Sequence, residues 1–495
     1  MKEIYKFFEE NMMKFSNKIC IIDDNKEITY GDMLNLVNKI CDRLNLLEIK
    51  EKHKILIISN NNIEVVAIML ACIKMKIVFS FIQSNNKRKY DIIQNLNPNI
   101  VILEEKNEEI KNSIEIKELL DFNNEIKIFK INDLIIDNDL EDIFSILYTS
   151  ASTSVNPKGV IISYGNISAS LNAILESVPY SFNDIILNYL PLSFDYGLYQ
   201  VLFNFKLGST LILKNYPLFP SNIVEDLKKY KITIFPGMKS LFYFIKLINN
   251  IEFKFLKLIT NTGESITEQE IKKIMLLFPN ANIYLMYGLT ECKRVSIFNL
   301  NDNMSKIKSV GKVLNNMESY VINEKGNIAD KFEIGELYIK GTNVCKGYYN
   351  NIEDTNKTFI GNNILKTGDL VYFDDDDFLY FVGRKDKVFK KNGYLIMSSY
   401  IENKFMDEIY KKYKVNIYAI ILNYKNRFIL SIYNNNNNNL DTNNIIKIYK
   451  DIFNKWEYPD KIIFFNKKIP FSINGKINRK KINEDIIYEL EREFK

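Results

Sequence analysis

Histidine is almost missing from this 495-residue chain, in which His53 is the only one. A Ser-His-Asp triad, a Cys-His dyad or a multi-histidine zinc site would have to be built around that single imidazole. His53 lies in a polar lead-in to an apolar run, so an exposed structural histidine is expected, and chemistry that does without imidazole. Cysteine is scarce as well. Cys20, Cys41, Cys72, Cys292 and Cys345 lie far apart with no C-x-x-C pair, which reads as buried or reduced thiols. No apolar run reaches ~18 residues, and Met1-Lys2-Glu3 does not begin a signal peptide, so no membrane span and a cytoplasmic location are expected. An excess of one charge sign is also lacking. The formal net charge is +5 with both signs mixed along the chain, which gives no reason to expect nucleic acid or an anionic membrane as a partner.

What is present is ample material for folded cores: 46% hydrophobic residues, with 33 Phe and 30 Tyr. The length exceeds that at which single cores stop growing, so two or more domains are expected. Short apolar runs such as KILIIS, IVFSFI, NIVIL, STLILK, ITIFPG, KLITNTG and NIYLMYG read as strands, several of them apolar throughout, as in a sheet covered on both faces. Helical stretches such as NNIEVVAIMLACIKM and PSNIVEDLKKY alternate with them, which predicts an α/β architecture. Beyond about residue 383 the texture changes to short strands and helices, which predicts a small α+β domain of roughly a hundred residues.

One stretch is unusual in composition. YTSASTSVNPKG, from Tyr148 to Gly159, gathers Ser and Thr hydroxyls beside a lysine. Small hydroxylated residues leave backbone N–H groups accessible and the ammonium adds charge, a combination that suits polyphosphate, although a polar surface loop has the same composition. It is followed, in order, by MYGLTE (286–291), GELYIKGTNVCKGYYN (335–350), TGDL (367–370), GRKDK (383–387) and PFSINGKINR (470–479). Together these resemble the AMP-forming adenylating superfamily of acyl-CoA synthetases, nonribosomal peptide synthetase adenylation domains and luciferases. The resemblance implies a large N-terminal α/β domain, residues 1–383, and a mobile C-terminal lid, residues 384–495, with the active site between them.

It also implies roles for particular residues. Thr149, Ser150, Ser152, Thr153 and Lys158 would cradle the β- and γ-phosphates of ATP; Ala151 and Ser154 stand where the family commonly has glycines. Gly263 and Glu264, which close a strand-like run, are further nucleotide-binding positions, and Gly288 lies in the same motif as Tyr287. Tyr287 would stack on adenine, Thr290 would donate to the α-phosphate, and Glu291 would hold Mg²⁺ between phosphates. Asp369 is the ribose-binding carboxylate and Arg384 also reaches the ribose. Asp386 is the hinge, and Lys476 the catalytic lysine, whose ammonium would relieve the repulsion between an incoming carboxylate and an anionic α-phosphate. The acidic run Asp374 to Asp377 is expected to be a solvated hairpin turn rather than a metal site.

The implied reaction has two halves. A carboxylate attacks the α-phosphorus of ATP and expels pyrophosphate; a thiol, either free CoA or the phosphopantetheine of a separate carrier protein, then displaces AMP. Substrate choice rests on LPLSFDYGLYQ (190–200), with Phe194, Asp195 and Tyr199, and on Arg294. Phe194-Asp195 resembles the Phe-Asp of peptide-synthetase adenylation domains, whose aspartate pairs with the substrate's α-ammonium, and the resemblance implies an amino acid or other amine-bearing acid; a desolvated carboxylate needs some cationic partner. An amine-free acid, with Asp195 paired internally to Arg294, is the alternative, and a degenerate binding protein without catalysis is a second one.

Overall fold

A computed structural model describes residues 3–24, 26–122, 142–148, 157–217, 219–238, 241, 253–263, 266, 268–361, 363–391, 394–415, 417–425, 427–434, 441–471 and 477–492. The expected α/β architecture is present. The apolar runs form strands: Lys54–Ile58, Val78–Ile82 and Ile100–Leu103 are buried along their whole length and pair in parallel within a seven-stranded sheet. A nine-stranded sheet holds Ile185–Asn188, Thr210–Leu213, Ile234–Gly237, Leu258–Asn261 and Asn282–Leu289, again parallel.

Strands buried on both faces need helices to cover them. One core joins side chains of both large sheets through the helices Tyr30–Leu46, Ile63–Met75, Tyr164–Ser177 and Asp195–Leu207. Ile63–Met75 is apolar nearly all round and is buried at Ile63 and from Val65 to Ile73, as a helix between layers must be. Asn62 caps it by accepting from the Val65 N–H at 2.8 Å. A third, five-stranded sheet of antiparallel strands carries Gly335–Gly341, Ile364–Phe373 and Leu379–Arg384.

From Val388 onward the elements are smaller. A hairpin of Val388–Lys391 and Tyr394–Met397 leads to helix Ser398–Tyr413 and a three-stranded sheet of Ile417–Tyr424, Arg427–Asn434 and Lys461–Phe465. This unit has its own core, with Phe405, Ile409, Phe428 and Leu430 at its centre. Arg479, at the start of the helix Arg479–Arg492, is bound to Glu402 of Ser398–Tyr413 by Nη1–Oε1 at 3.0 Å and Nη2–Oε2 at 2.5 Å, which ties the end of the chain back to this core. Among the described residues no helix is long and apolar enough to cross a membrane.

Two expectations need correction. His53 is fully buried rather than exposed: its Nδ1 accepts from the Lys50 N–H at 3.0 Å, which closes a turn under the neighbouring strand. The acidic run does form a hairpin turn, but its first member is structural rather than solvated. Asp374 is 4% exposed, and its carboxylate accepts from the N–H groups of Asp376 and Phe378, from Tyr380 Oη and from Lys306 Nζ. Local composition does not reveal that Lys306 and Tyr380 reach it. All five cysteines are buried and unpaired, as expected.

Candidate active site

The parallel strands Leu258–Asn261 and Asn282–Leu289 end on the same side of the nine-stranded sheet, where α/β folds place ligand clefts. A cleft of about 2120 Å³ opens there. Its lining includes Lys158, Gly263, Phe194, Asp195, Tyr287, Gly288, Thr290, Glu291, Arg294, Asp369, Arg384 and Asp386, so residues spread over 229 positions of sequence meet at one surface. Thr149, Ser150, Ser152, Thr153, Glu264 and Lys476 lie outside the described residues.

The turn that presents Thr290 and Glu291 is set by backbone sterics. Asn282–Leu289 turns back antiparallel into Lys293–Asn299, and the register shifts between Tyr287 and Gly288. A Cβ at Gly288 would sit 1.7 Å from the Lys293 carbonyl oxygen, so only glycine fits. Lys293 itself adopts φ +63°, and its fully buried ammonium donates to the Thr290 carbonyl at 2.9 Å, bracing the turn from behind. Gly263, just past its strand, also has positive φ, at +89°.

Asp369 lies opposite Arg384 on paired strands. Arg384 Nη1 donates to Asp369 Oδ1 at 2.9 Å and to the Thr367 carbonyl at 2.9 Å, and Tyr287 Oη donates to Asp369 Oδ2 at 2.5 Å. Both carboxylate oxygens are thereby engaged. Burial raises the Asp369 pKa above the usual carboxylate value, against the opposing pull of Arg384 and Tyr287. Burial, then the carboxylate beside it, raises the Tyr287 phenol well above its ordinary value, so it remains a donor. Its ring packs on Phe381 at 6.1 Å, tilted by 42°, which fixes the face that it turns to the cleft.

Sequence reading gave no role to two residues beside Lys158 and Glu291. Tyr348 Oη donates to Glu291 Oε1 at 2.7 Å, and Asp354 pairs with Lys158 at 2.8 Å while the Lys158 ammonium lies 5.2 Å over the Tyr348 ring. Lys158 and Glu291 are therefore linked through one aromatic side chain. The hydrogen bond from Lys158 holds Asp354 below its ordinary pKa, against partial burial. Asn166 steadies this corner, donating to the carbonyls of Thr342 and Val344 at 2.7 and 2.9 Å, and the Cys345 N–H that follows donates to the Glu291 carbonyl at 2.8 Å. Both Tyr348 and Asp354 follow the GELYIKG strand; only proximity in space connects them to Glu291 and Lys158.

At the other wall, Phe194 is the N-cap of helix Asp195–Leu207 and Asp195 is its first residue. Gly197 lets this helix end press on the preceding loop, since a Cβ there would lie 2.3 Å from the Pro191 carbonyl. Arg294 Nη1 bonds Asp195 Oδ2 at 3.2 Å, with both side chains 4% exposed, and its guanidinium lies 5.1 Å over the Tyr196 ring. Tyr199 does not join them at the cleft. One turn further along the helix it is buried against Phe203, with ring centroids 5.8 Å apart, and is not among the lining residues.

A family model described as "AMP-binding enzyme" matches residues 8–349, and the chain belongs to that family. It is 29% identical over 275 residues to 4-coumarate–CoA ligase-like 6 of Arabidopsis thaliana, a match covering 53% of this chain and 48% of the relative. It is also 29% identical over 372 residues to the D-alanine–D-alanyl carrier protein ligase of Bacillus licheniformis, covering 70% of this chain and 72% of that protein. The match thus spans about half the length of the first relative and nearly three quarters of the second. O-succinylbenzoate coenzyme A synthetase from Bacillus subtilis, solved in complex with ATP and magnesium ion, shares the fold with a TM-score of 0.80, at 17% identity over 96% of this chain and 99% of that one.

Proposed function

We propose that this protein is an AMP-forming acid–thiol ligase. The observation that carries the reading is the single cleft in which Asp369 with Arg384, Glu291 with Lys158, and Asp195 with Arg294 line separate stretches of one surface. These groups suit, in turn, the sugar, the phosphates and the acid of an adenylation reaction.

The donor chemistry fits magnesium nucleotide. A carboxylate pair of oxygens beside a guanidinium suits vicinal hydroxyls, and an ammonium suits phosphate. Among the described residues no group of three or more His, Cys, Asp or Glu side chains could enclose a metal, so Mg²⁺ would rest on Glu291 and on phosphate oxygens, a usual arrangement for this ion. Bound there, it would neutralise phosphate charge. Tyr348 would hold Glu291 in place for it, and Thr290 would donate to the α-phosphate. Gly263, Gly288 and Tyr287 would border the base, and Thr149, Ser150, Ser152, Thr153 and Glu264 would complete the nucleotide site. Phe194, Asp195, Arg294 and, from behind, Tyr199 would form the acid pocket.

In the first half-reaction a carboxylate oxygen bonds the α-phosphorus as the bond to pyrophosphate breaks. In the second, the sulfur of CoA or of a carrier protein's phosphopantetheine bonds the acyl carbon and AMP leaves. Lys476 would stabilise the first transition state. The lid beyond residue 383 would pivot at Asp386, which lies 3.6 Å from Arg384 Nε through its Oδ1. A cytoplasmic location belongs to this proposal, supported by five buried, unpaired thiols. Phosphorus NMR of the protein with MgATP, an acid mixture and CoA tests it: AMP and pyrophosphate are expected, whereas ADP and phosphate would refute it. Lys476→Ala should abolish AMP formation while ATP binding persists.

A further inference from the structure

We propose that the acid recognised in this cleft lacks an ammonium group and carries a hydrogen-bond acceptor on its tail, with Arg294 as the specificity-determining residue. The inference rests on the adenylation reading only for naming this wall the acid pocket.

Asp195 is the side chain to which an amino acid's ammonium would bind, and it is already neutralised twice. Arg294 Nη1 reaches its Oδ2 at 3.2 Å. The carboxylate also opens the helix Asp195–Leu207, where free N–H groups and the helix dipole favour negative charge. An incoming ammonium would have to displace a guanidinium whose side chain is 4% exposed, or sit beside it with like charges close together.

Arg294 is in the opposite condition. A guanidinium has five N–H donors. Nη1 serves Asp195, but Nε is buried with no partner among the described residues. The group is not loose: it lies 5.1 Å over Tyr196, whose hydroxyl is joined to Thr260 Oγ1 at 2.6 Å. A fixed, buried, under-satisfied cation that lines a cleft favours a ligand with lone pairs, because leaving such donors unmet is costly. A carbonyl, a hydroxyl or a second carboxylate supplies them; a plain alkyl tail or an ammonium does not.

Calorimetric binding and acid-dependent pyrophosphate exchange, run in parallel on the full chain, test this. The acids are butanoate, 2-aminobutanoate and 4-aminobutanoate against 4-hydroxybutanoate, 4-oxobutanoate and butanedioate, with six- and eight-carbon counterparts. The acceptor-tailed acids should bind about tenfold or more tighter than their alkyl and amino counterparts, and the three acceptor arms identify which acceptor is used. Arg294→Met should erase that preference and, by freeing Asp195, admit the amino acids. The double variant D195N/R294M, which leaves no unpaired buried charge, should also lose the preference and should unfold at the parental temperature, so a folding defect cannot imitate the result. An amino acid bound as tightly as its hydroxy counterpart, a preference that survives Arg294→Met, or no binding by any acceptor-tailed acid overturns the proposal. Arg294-dependent binding without exchange would leave it standing and remove the adenylation reading; exchange driven by amino acids would do the reverse.

Discussion

Replacing Tyr348 with Phe removes one oxygen atom, and the structure defines what is lost with it. The hydroxyl donates to Glu291 Oε1 at 2.7 Å from a side chain that is 7% exposed, so water has little room to take its place. A hydrogen bond to a charged group contributes about 1.5–3 kcal/mol. If Glu291 holds the metal on the nucleotide, that loss falls on the step that needs it. At 1.36 kcal/mol per factor of ten, the adenylation rate should fall about 10- to 150-fold. The phenylalanine ring would still lie under the Lys158 ammonium, and the Lys158–Asp354 pair at 2.8 Å would persist, so the fold should survive. The assay is pyrophosphate exchange measured against Mg²⁺ concentration: the variant should need more Mg²⁺ for half-maximal rate as well as running slower. In a Glu291→Gln background the same change should have almost no further effect, since the charged acceptor is gone. A variant that keeps its rate and its Mg²⁺ dependence within twofold of the parent would refute the positioning role of Tyr348.

Asp369→Asn should weaken ATP binding tenfold or more by calorimetry yet leave the unfolding temperature unchanged or higher. The folded pKa is raised, so stability is full below the unfolded value and is lost as pH rises through the folded one; at neutral pH the buried charge is held at a cost. His53, the only histidine, has its folded pKa lowered by burial and then by Lys50, and its Nδ1 is occupied as an acceptor. Its contribution is therefore present above the unfolded pKa, about 6.5, and is lost as pH falls towards the folded one. Thermal scans should show that fall as pH drops below about 6.5, and His53→Gln should flatten it. Gly288→Ala places a methyl group 1.7 Å from the Lys293 carbonyl by its starting geometry, and should cost about 1–3 kcal/mol in denaturant unfolding while slowing exchange more than tenfold.

Strands were legible where apolar residues ran together, because burial on both faces admits few polar side chains and those only with partners, as Lys54 donates to Tyr349 Oη at 2.8 Å and Ser80 to the Ile146 carbonyl at 2.7 Å. KILII and VFSFI show this, being buried throughout. Residues such as Asp195, Glu291 and Asp369 were legible through family motifs, which preserve residue types at fixed spacing. Partnerships were harder to read. Tyr348 and Glu291 are 57 positions apart and Tyr287 and Asp369 are 82 apart, and no periodicity encodes a contact between two distant segments that fold onto one cleft. The pair Asp195–Arg294, 99 positions apart, was open as one of two possibilities, since charge balance alone cannot tell a protein partner from a substrate. His53 was misjudged because its polar neighbours suggested solvent, whereas its ring turns inward to close the Lys50 turn.

The central claim is that this cleft joins an acid to the α-phosphate of ATP. The most direct measurement is incorporation of labelled pyrophosphate into ATP by the full chain with Mg²⁺, with and without a pool of carboxylic acids. The account predicts incorporation only when both acid and Mg²⁺ are present, and its loss in Lys476→Ala. Bound ATP with no acid-dependent incorporation from any acid in the pool would contradict it.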